Sequence, residues 1–167
     1  MTLPDVTIAA SATLGPDDVL PFVPGFVGDF APLVRALARR CLGEHPTGLL
    51  AVASDRRGIV LASASFDTTS LERSAEQVRR GGRIDALLFH QTVPNTVLGV
   101  LSCDYGITGP MFCVSGPERP YDEAVAVAGL MIADGAADAM LAIGVELPTT
   151  AGEFLATAGL LRLGPQR

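Results

Sequence analysis

The stretch that decides the fold runs from Asn95 to Glu146: NTVLGVLSCDYGITGPMFCVSGPERPYDEAVAVAGLMIADGAADAMLAIGVE. Pro94 begins a segment in which Val97, Leu98, Val100 and Leu101 give an apolar side and Gly106 supplies a stop, so a helix is expected over Asn95 to Tyr105. Met111 to Val114 reads as a short buried strand, Tyr121 to Asp134 as an Ala-rich helix and Ala139 to Val145 as another apolar strand. Helix, strand, helix, strand is a layered α/β arrangement.

Upstream, Val6 to Leu14 is rich in β-branched and small residues and ends at Gly15-Pro16, as a strand stopped by a turn does. Phe30 to Leu42 places Leu33, Val34, Leu37 and Cys41 on one face at helical spacing, with Gly43 as the stop. Thr47 to Ser54 is nearly continuous in apolar residues and of strand length, which predicts a strand covered on both faces, with Arg56-Arg57-Gly58 as a turn after it. A short strand over Ile59 to Ala62 and a polar helix over Ser70 to Arg80, closed by Gly81-Gly82, complete the middle. Downstream, Glu153 to Leu163 reads as a hairpin or short helix docked on the rest, and Gly164 to Arg167 as a loose tail. No short repeat, low-complexity tract or long linker divides the chain, so residues 1–167 are expected to form one domain.

Composition narrows the function. With 167 residues, 49% of them apolar and 18% charged, the chain describes one core-rich unit rather than a disordered one. Acidic residues outnumber basic ones 18 to 12, for a net charge of −6, which removes the usual footprint of a nucleic-acid binder. All twelve cations are Arg; without Lys there is neither Schiff-base chemistry nor a P-loop lysine, and no cofactor is expected. Cys41, Cys103 and Cys113 are an odd count with no CxxC pair, against a disulfide framework or a zinc site, so no metal is expected and a reducing cytoplasm is the natural setting. Asp5 stands where an export signal would be basic, and the longest wholly apolar run, Ala124 to Ala133, is about half of the roughly 20 residues that span a bilayer. Neither a signal nor a membrane partner is expected.

The residues from Asn95 to Glu146 resemble the N-terminal half of β-ketoacyl synthases, members of the thiolase-like superfamily that build fatty acids and polyketides on acyl carrier proteins. The resemblance lies in Asn95, Gly106-Ile-Thr-Gly-Pro110, the strand Met111 to Ser115, a long helix, Gly135-Ala-Ala-Asp138 and Gly144-Val-Glu146. It implies half of a thiolase-like fold, a layered, mostly parallel sheet flanked by helices. The family nucleophile lies eight residues after that Pro and seventeen before the Gly of Gly-x-x-Asp, and both counts land on Glu118. Where the family has Thr-Ala-Cys this chain has Gly116-Pro117-Glu118, a carboxylate in place of a thiol.

In the family, a strand delivers the Cys to a turn at a helix start, where the dipole favours the thiolate. Glu118 would inherit that position, either as an acid/base group or as a favourable helix-start residue beside Pro117 and Pro120. The resemblance implies a need for His, or His and Asn, from a C-terminal half; that half is expected to be missing and condensation is therefore not expected. Of the two histidines, His45 and His90, neither matches a catalytic one. His90, before Val93-Pro94-Asn95, is the only base available to pair with Glu118. The resemblance sets Asn95, Phe112 and Ser115 against a substrate. Cys41, Cys103 and Cys113 read as packing residues rather than nucleophiles.

Two partners are implied. Half of such a fold leaves apolar faces uncovered, which predicts an obligate dimer with an interface on the order of 2,000 Å² or more. The resemblance puts Met111 to Ser115 across its axis, in a homodimer or a heterodimer with a ketosynthase-like subunit. An acyl carrier protein is the second partner, with Arg39-Arg40, Arg56-Arg57 and Arg79-Arg80 with Arg83 as its basic patch or, alternatively, as ordinary solvated surface. The function expected is that of a non-condensing accessory subunit, a pseudoenzyme of polyketide or fatty-acid biosynthesis. The alternative is a stand-alone enzyme that decarboxylates, dehydrates or cyclises carrier-bound chains through Glu118.

Overall fold

The computed structural model describes residues 6–43, 47–116, 118–147 and 155–164. His45, Pro117, Glu153 and the tail beyond Gly164 lie outside the described residues. In chain order the elements are β1 (Val6–Leu14), α1 (Phe30–Leu42), α2 (Thr47–Leu50), a 3-10 turn at Ser54–Arg56, β2 (Arg57–Ser63), α3 (Thr68–Arg79), α4 (Ala86–Gln91), α5 (Asn95–Tyr105), β3 (Met111–Ser115), α6 (Pro120–Ala133), β4 (Ala139–Glu146) and β5 (Leu155–Leu163).

Five strands form one mixed sheet in the order β1-β5-β4-β2-β3. β2 runs parallel to both β3 and β4, while β5 runs antiparallel to both β4 and β1. The central strands are apolar on both faces, as a sheet covered by helices on both sides requires. Alternate side chains go to opposite cores: Ile59, Leu61, Leu141 and Ile143 pack with α1 and α5, whereas Val60, Ala62, Met140 and Ala142 pack with Ala124, Ala128 and Ile132 of α6. Gly144 has no Cβ because the Tyr121 backbone lies in its place, which lets α6 sit directly on β4.

Three sequence expectations are corrected. Thr47 to Ser54 is not a strand but the short helix α2 followed by a turn; Val52 N–H donates to Leu49 C=O at 3.1 Å, and the carbonyls of Leu50 and Val52 accept from the Arg57 guanidinium at 3.1 and 2.5 Å. Those groups are thereby withheld from a ladder, and Arg57–Ser63, begun two residues before the expected Ile59, takes the place between β4 and β3. An apolar run this short has no periodicity to separate a buried helical turn from a strand. Met111 to Val114 is a strand, but among the described residues it is an edge strand paired only with β2, with Met111 and Phe112 exposed rather than buried. The segment ending at Leu163 is neither hairpin nor helix; it is β5, inserted between β1 and β4.

The polar helix starts two residues before its expected Ser70. Buried Asp67 caps it, accepting from Ser70 N–H at 3.0 Å and Ser70 Oγ–H at 2.7 Å. The short α4, unforeseen in the sequence, has the same device: Asp85 accepts from Leu87 N–H at 2.8 Å.

Candidate functional site

The parallel strands β3, β2 and β4 end side by side at Ser115, Ser63 and Glu146, and the carboxyl ends of parallel strands are where α/β sheets bind ligands. Two hydrogen bonds tie these ends together. Gly116 N–H donates to Ser63 C=O at 3.2 Å, and Ala64 N–H donates to the Glu146 carboxylate. Ser63, fully buried, accepts from Phe66 N–H at 2.8 Å through its hydroxyl, which helps hold Phe66 at φ 51, the left-handed region a non-glycine residue rarely enters.

From β3 the chain turns into α6. A Cβ at Gly116 would stand 2.9 Å from Pro120 Cα, so the tight return demands glycine. Arg119 occupies the N-cap, Pro120 the first helical position, and Asp122 and Glu123 the first turn, where carboxylates meet the positive end of the dipole. Glu118 lies just outside this helix, exposed, with no hydrogen bond or ion pair to another described residue. It therefore does not serve as the cap. It lines a cleft of about 370 Å³ together with Tyr121, Gly144, Glu146 and Thr157. Burial, with Asp122 nearby as a lesser cause, pushes the Tyr121 hydroxyl above its ordinary range. Arg119 at the rim is already paired with Asp122 at 2.6 Å.

The other expected site residues are spread more widely. His90, in the last turn of α4, is exposed and lines a different cleft, with Phe26, Thr96 and Cys103, that shares no residue with the Glu118 cleft. Glu118 and His90 are thus not brought together. Asn95 is the exposed first residue of α5. Phe112 and Ser115 both stand on β3, three residues apart, and so point to opposite faces of the sheet. What the sequence reading missed is Glu146, which enters the Glu118 cleft from the end of β4. Its signal was present as the last residue of Gly144-Val-Glu146.

Cys41 and Cys113 fit packing roles, whereas Cys103, expected to pack as well, is exposed on α5. Burial pushes both Cys41 and Cys113 up to about 11, with a Leu160 backbone hydrogen bond partly opposing the effect at Cys41. Neither is a thiolate at neutral pH. The arginines do not form one free patch: Arg40 pairs with Asp18, Arg56 with Asp138, and Arg79 and Arg80 both with Glu76, while Arg57 is spent on backbone carbonyls. Among the described residues no group of three His, Cys, Asp or Glu is placed to hold a metal ion, and no helix is long and apolar enough to cross a membrane.

The family model described as the N-terminal domain of β-ketoacyl synthase matches residues 44–163. The chain belongs to this family. No curated protein shows significant sequence similarity to it. Among solved structures this synthase-type domain is similar to the ishigamide ketosynthase/chain length factor, with a TM-score of 0.73 and 16% identity over 94% of this chain and 62% of that one. It is similar also to a type II polyketide synthase acyl-carrier protein in complex with its ketosynthase bound to the hexaketide (TM-score 0.73, 13% identity, 97% of this chain and 59% of that one). A third is a ketosynthase in complex with its chain length factor from Xenorhabdus doucetiae (TM-score 0.65, 15% identity, 83% and 58%). The chain therefore spans about three-fifths of the length of these structures. At such identities the likeness establishes the thiolase-like α/β fold.

Proposed function

We propose that this β-ketoacyl synthase-type domain is a non-condensing accessory subunit of polyketide or fatty-acid biosynthesis that works in a complex with a ketosynthase and receives its acyl carrier protein. The observation that carries the reading is Glu118. At the turn from β3 into α6, where the family pattern places its nucleophilic Cys, stands an exposed carboxylate, and the nearest cysteine in the chain, Cys113, has a thiol held protonated by burial. A carboxylate there cannot take up an acyl group as a thioester, so condensation must be done by a partner. The open edge of β3, with Met111 and Phe112 exposed on it, is the surface proposed for that partner.

Native mass spectrometry of the chain co-expressed with the ketosynthase and carrier protein of its host tests this. A stoichiometric complex with the ketosynthase is the expected result; a chain that stays apart from both proteins overturns it.

The second reading is an enzyme that acts on carrier-bound chains by acid/base chemistry. It is favoured by the placement of Glu118 and Glu146 in one cleft, which turns two carboxylates toward the same space. Here Glu146 accepts from Ala64 N–H, and Glu118 has no hydrogen bond or ion pair to another described residue. Turnover of carrier thioesters that is lost in Glu118→Gln, with the fold intact, selects this reading; turnover unchanged by the substitution excludes it.

A further inference from the structure

The turn that follows β2 is unfavourable at two adjacent residues. Phe66 stands at φ 51, a backbone conformation that a bulky side chain enters only under constraint. Beside it, the Ser65 hydroxyl oxygen is buried and has no hydrogen-bond partner among the described residues, a loss that folded chains rarely accept. Strain of this kind persists only where the surroundings over-determine it, and here they do. Ser63 Oγ accepts from Phe66 N–H at 2.8 Å, Thr68 N–H donates to Phe66 C=O at 3.0 Å, and the Phe66 ring meets Phe30 edge-on with centroids 6.2 Å apart. The next residue, Asp67, is buried and committed to Ser70 as the cap of α3.

One of the contacts that hold the turn belongs to the strand-end cleft. Ala64 N–H donates to the Glu146 carboxylate, and Glu146 lines the cleft beside Glu118 and Tyr121. Ala64 is exposed, so a cation or hydrogen-bond donor that enters the cleft competes with its N–H for the Glu146 oxygens. Loss of that contact takes away support from the strained form alone. The relaxed form gains what the strained one lacks, a negative φ at Phe66 and a Ser65 hydroxyl that reaches water. We propose that Ala64 to Phe66 is a two-state turn set by Glu146: a ligand group that engages the carboxylate releases Ala64, relaxes the turn and shifts the first turn of α3. The differential contact required of such a switch is the Ala64 to Glu146 hydrogen bond, made in one state and absent in the other. The inference rests on the strand-end cleft being the working site, and it holds for either function proposed for that cleft.

Thermal unfolding and nuclear magnetic resonance of the full chain test the switch with neither ligand nor activity assay, so its failure leaves both functional readings standing. Ser65→Ala removes the orphaned hydroxyl and should raise the unfolding midpoint by about 2–4 °C. In a Glu146→Ala background the turn is already relaxed, and the same substitution should gain less than half as much, because the two sites are coupled. In the parent, Phe66 should show the strong amide-to-α-proton contact of a positive φ, and Glu146→Ala should lose it. Equal gains from Ser65→Ala in both backgrounds overturn the proposal, as does a positive Phe66 φ that survives Glu146→Ala. If Glu146→Ala does not fold, Ser65→Ala in the parent decides alone: a midpoint that fails to rise overturns the proposal.

Discussion

The backbone of Tyr121 rests on Gly144: a Cβ added at Gly144 would overlap the Tyr121 amide and lie 2.7 Å from its own Cβ. This contact seats the first turn of α6 on β4 and brings the turn bearing Glu118 beside Glu146. Gly144→Ala is therefore expected to destabilise by about 1–3 kcal/mol, the usual cost of forcing atoms into a packed interior. Urea unfolding followed by circular dichroism measures it, and a midpoint equal to the parent's would contradict the packing.

Arg57 is the second structural key. Its Nε donates to Val52 C=O at 2.5 Å, Nη1 to Tyr105 and Gly106 C=O at 3.2 Å each, and Nη2 to Leu50 C=O at 3.1 Å. No ammonium can reproduce that spread of directions. Arg57→Lys should cost about 1–3 kcal/mol through unsatisfied carbonyls despite keeping the charge, and Arg57→Ala at least as much. Equal stability of the Lys variant would show that charge alone suffices.

The outer edge of β3 exposes Met111 at 42% and Phe112 at 38%. Phe112→Glu puts a charge on a strand edge, which blocks edge-to-edge pairing. The substitution should abolish the association proposed above while changing monomer stability by no more than about 0.5 kcal/mol. Sedimentation velocity reads the first effect and thermal unfolding the second; an undiminished complex would place the interface elsewhere.

Thiol chemistry should separate the three cysteines. Cys103 is exposed, whereas burial holds Cys41 and Cys113 near 11, where only about one thiol in a thousand is ionised at pH 8. Iodoacetamide at pH 8 should label Cys103 first, as peptide mass spectrometry would show, and early labelling of Cys113 would mean that β3 opens.

The same shifts set an alkaline limit on stability. Unfolded thiols ionise near 9 and these two near 11, so between those values the unfolded chain binds fewer protons and stability falls as pH rises. On the acid side the sign is reversed. The Arg40 hydrogen bond, aided by Gly15 N–H, lowers the Asp18 carboxyl, and the Arg56 hydrogen bond lowers that of Asp138. The stability these groups contribute is complete above the ordinary carboxylate value of 3.8 and lost as pH falls through their lowered ones. Unfolding free energy against pH should thus decline at both ends, and Cys41→Ala with Cys113→Ala should flatten the alkaline limb.

Several elements were legible because local chemistry settled them. Phe30–Leu42 carries its apolar stripe at helical spacing and a glycine stop, and the observed α1 has those limits. The helix–strand–helix–strand order after Asn95 was equally clear, and with it the turn that presents Glu118. The short apolar segments were not, because neighbours far along the chain decide them. Thr47–Leu50 coils because the carbonyls of Leu50 and Val52 are taken by Arg57, and Leu155–Leu163 extends because β1 and β4 leave a place between them.

By itself the sequence determined the class of fold and the spacing that puts a carboxylate at the strand-to-helix turn. These depend on residue identity and short spacing. Only the tertiary structure decided that Glu118 shares its cleft with Glu146 and not with His90, and that Met111 to Ser115 lies at an open edge. It also decided that most of the paired arginines face their own carboxylates and carbonyls. Each of these joins segments tens of residues apart, and such contacts are fixed by how helices and strands pack, which no local pattern encodes.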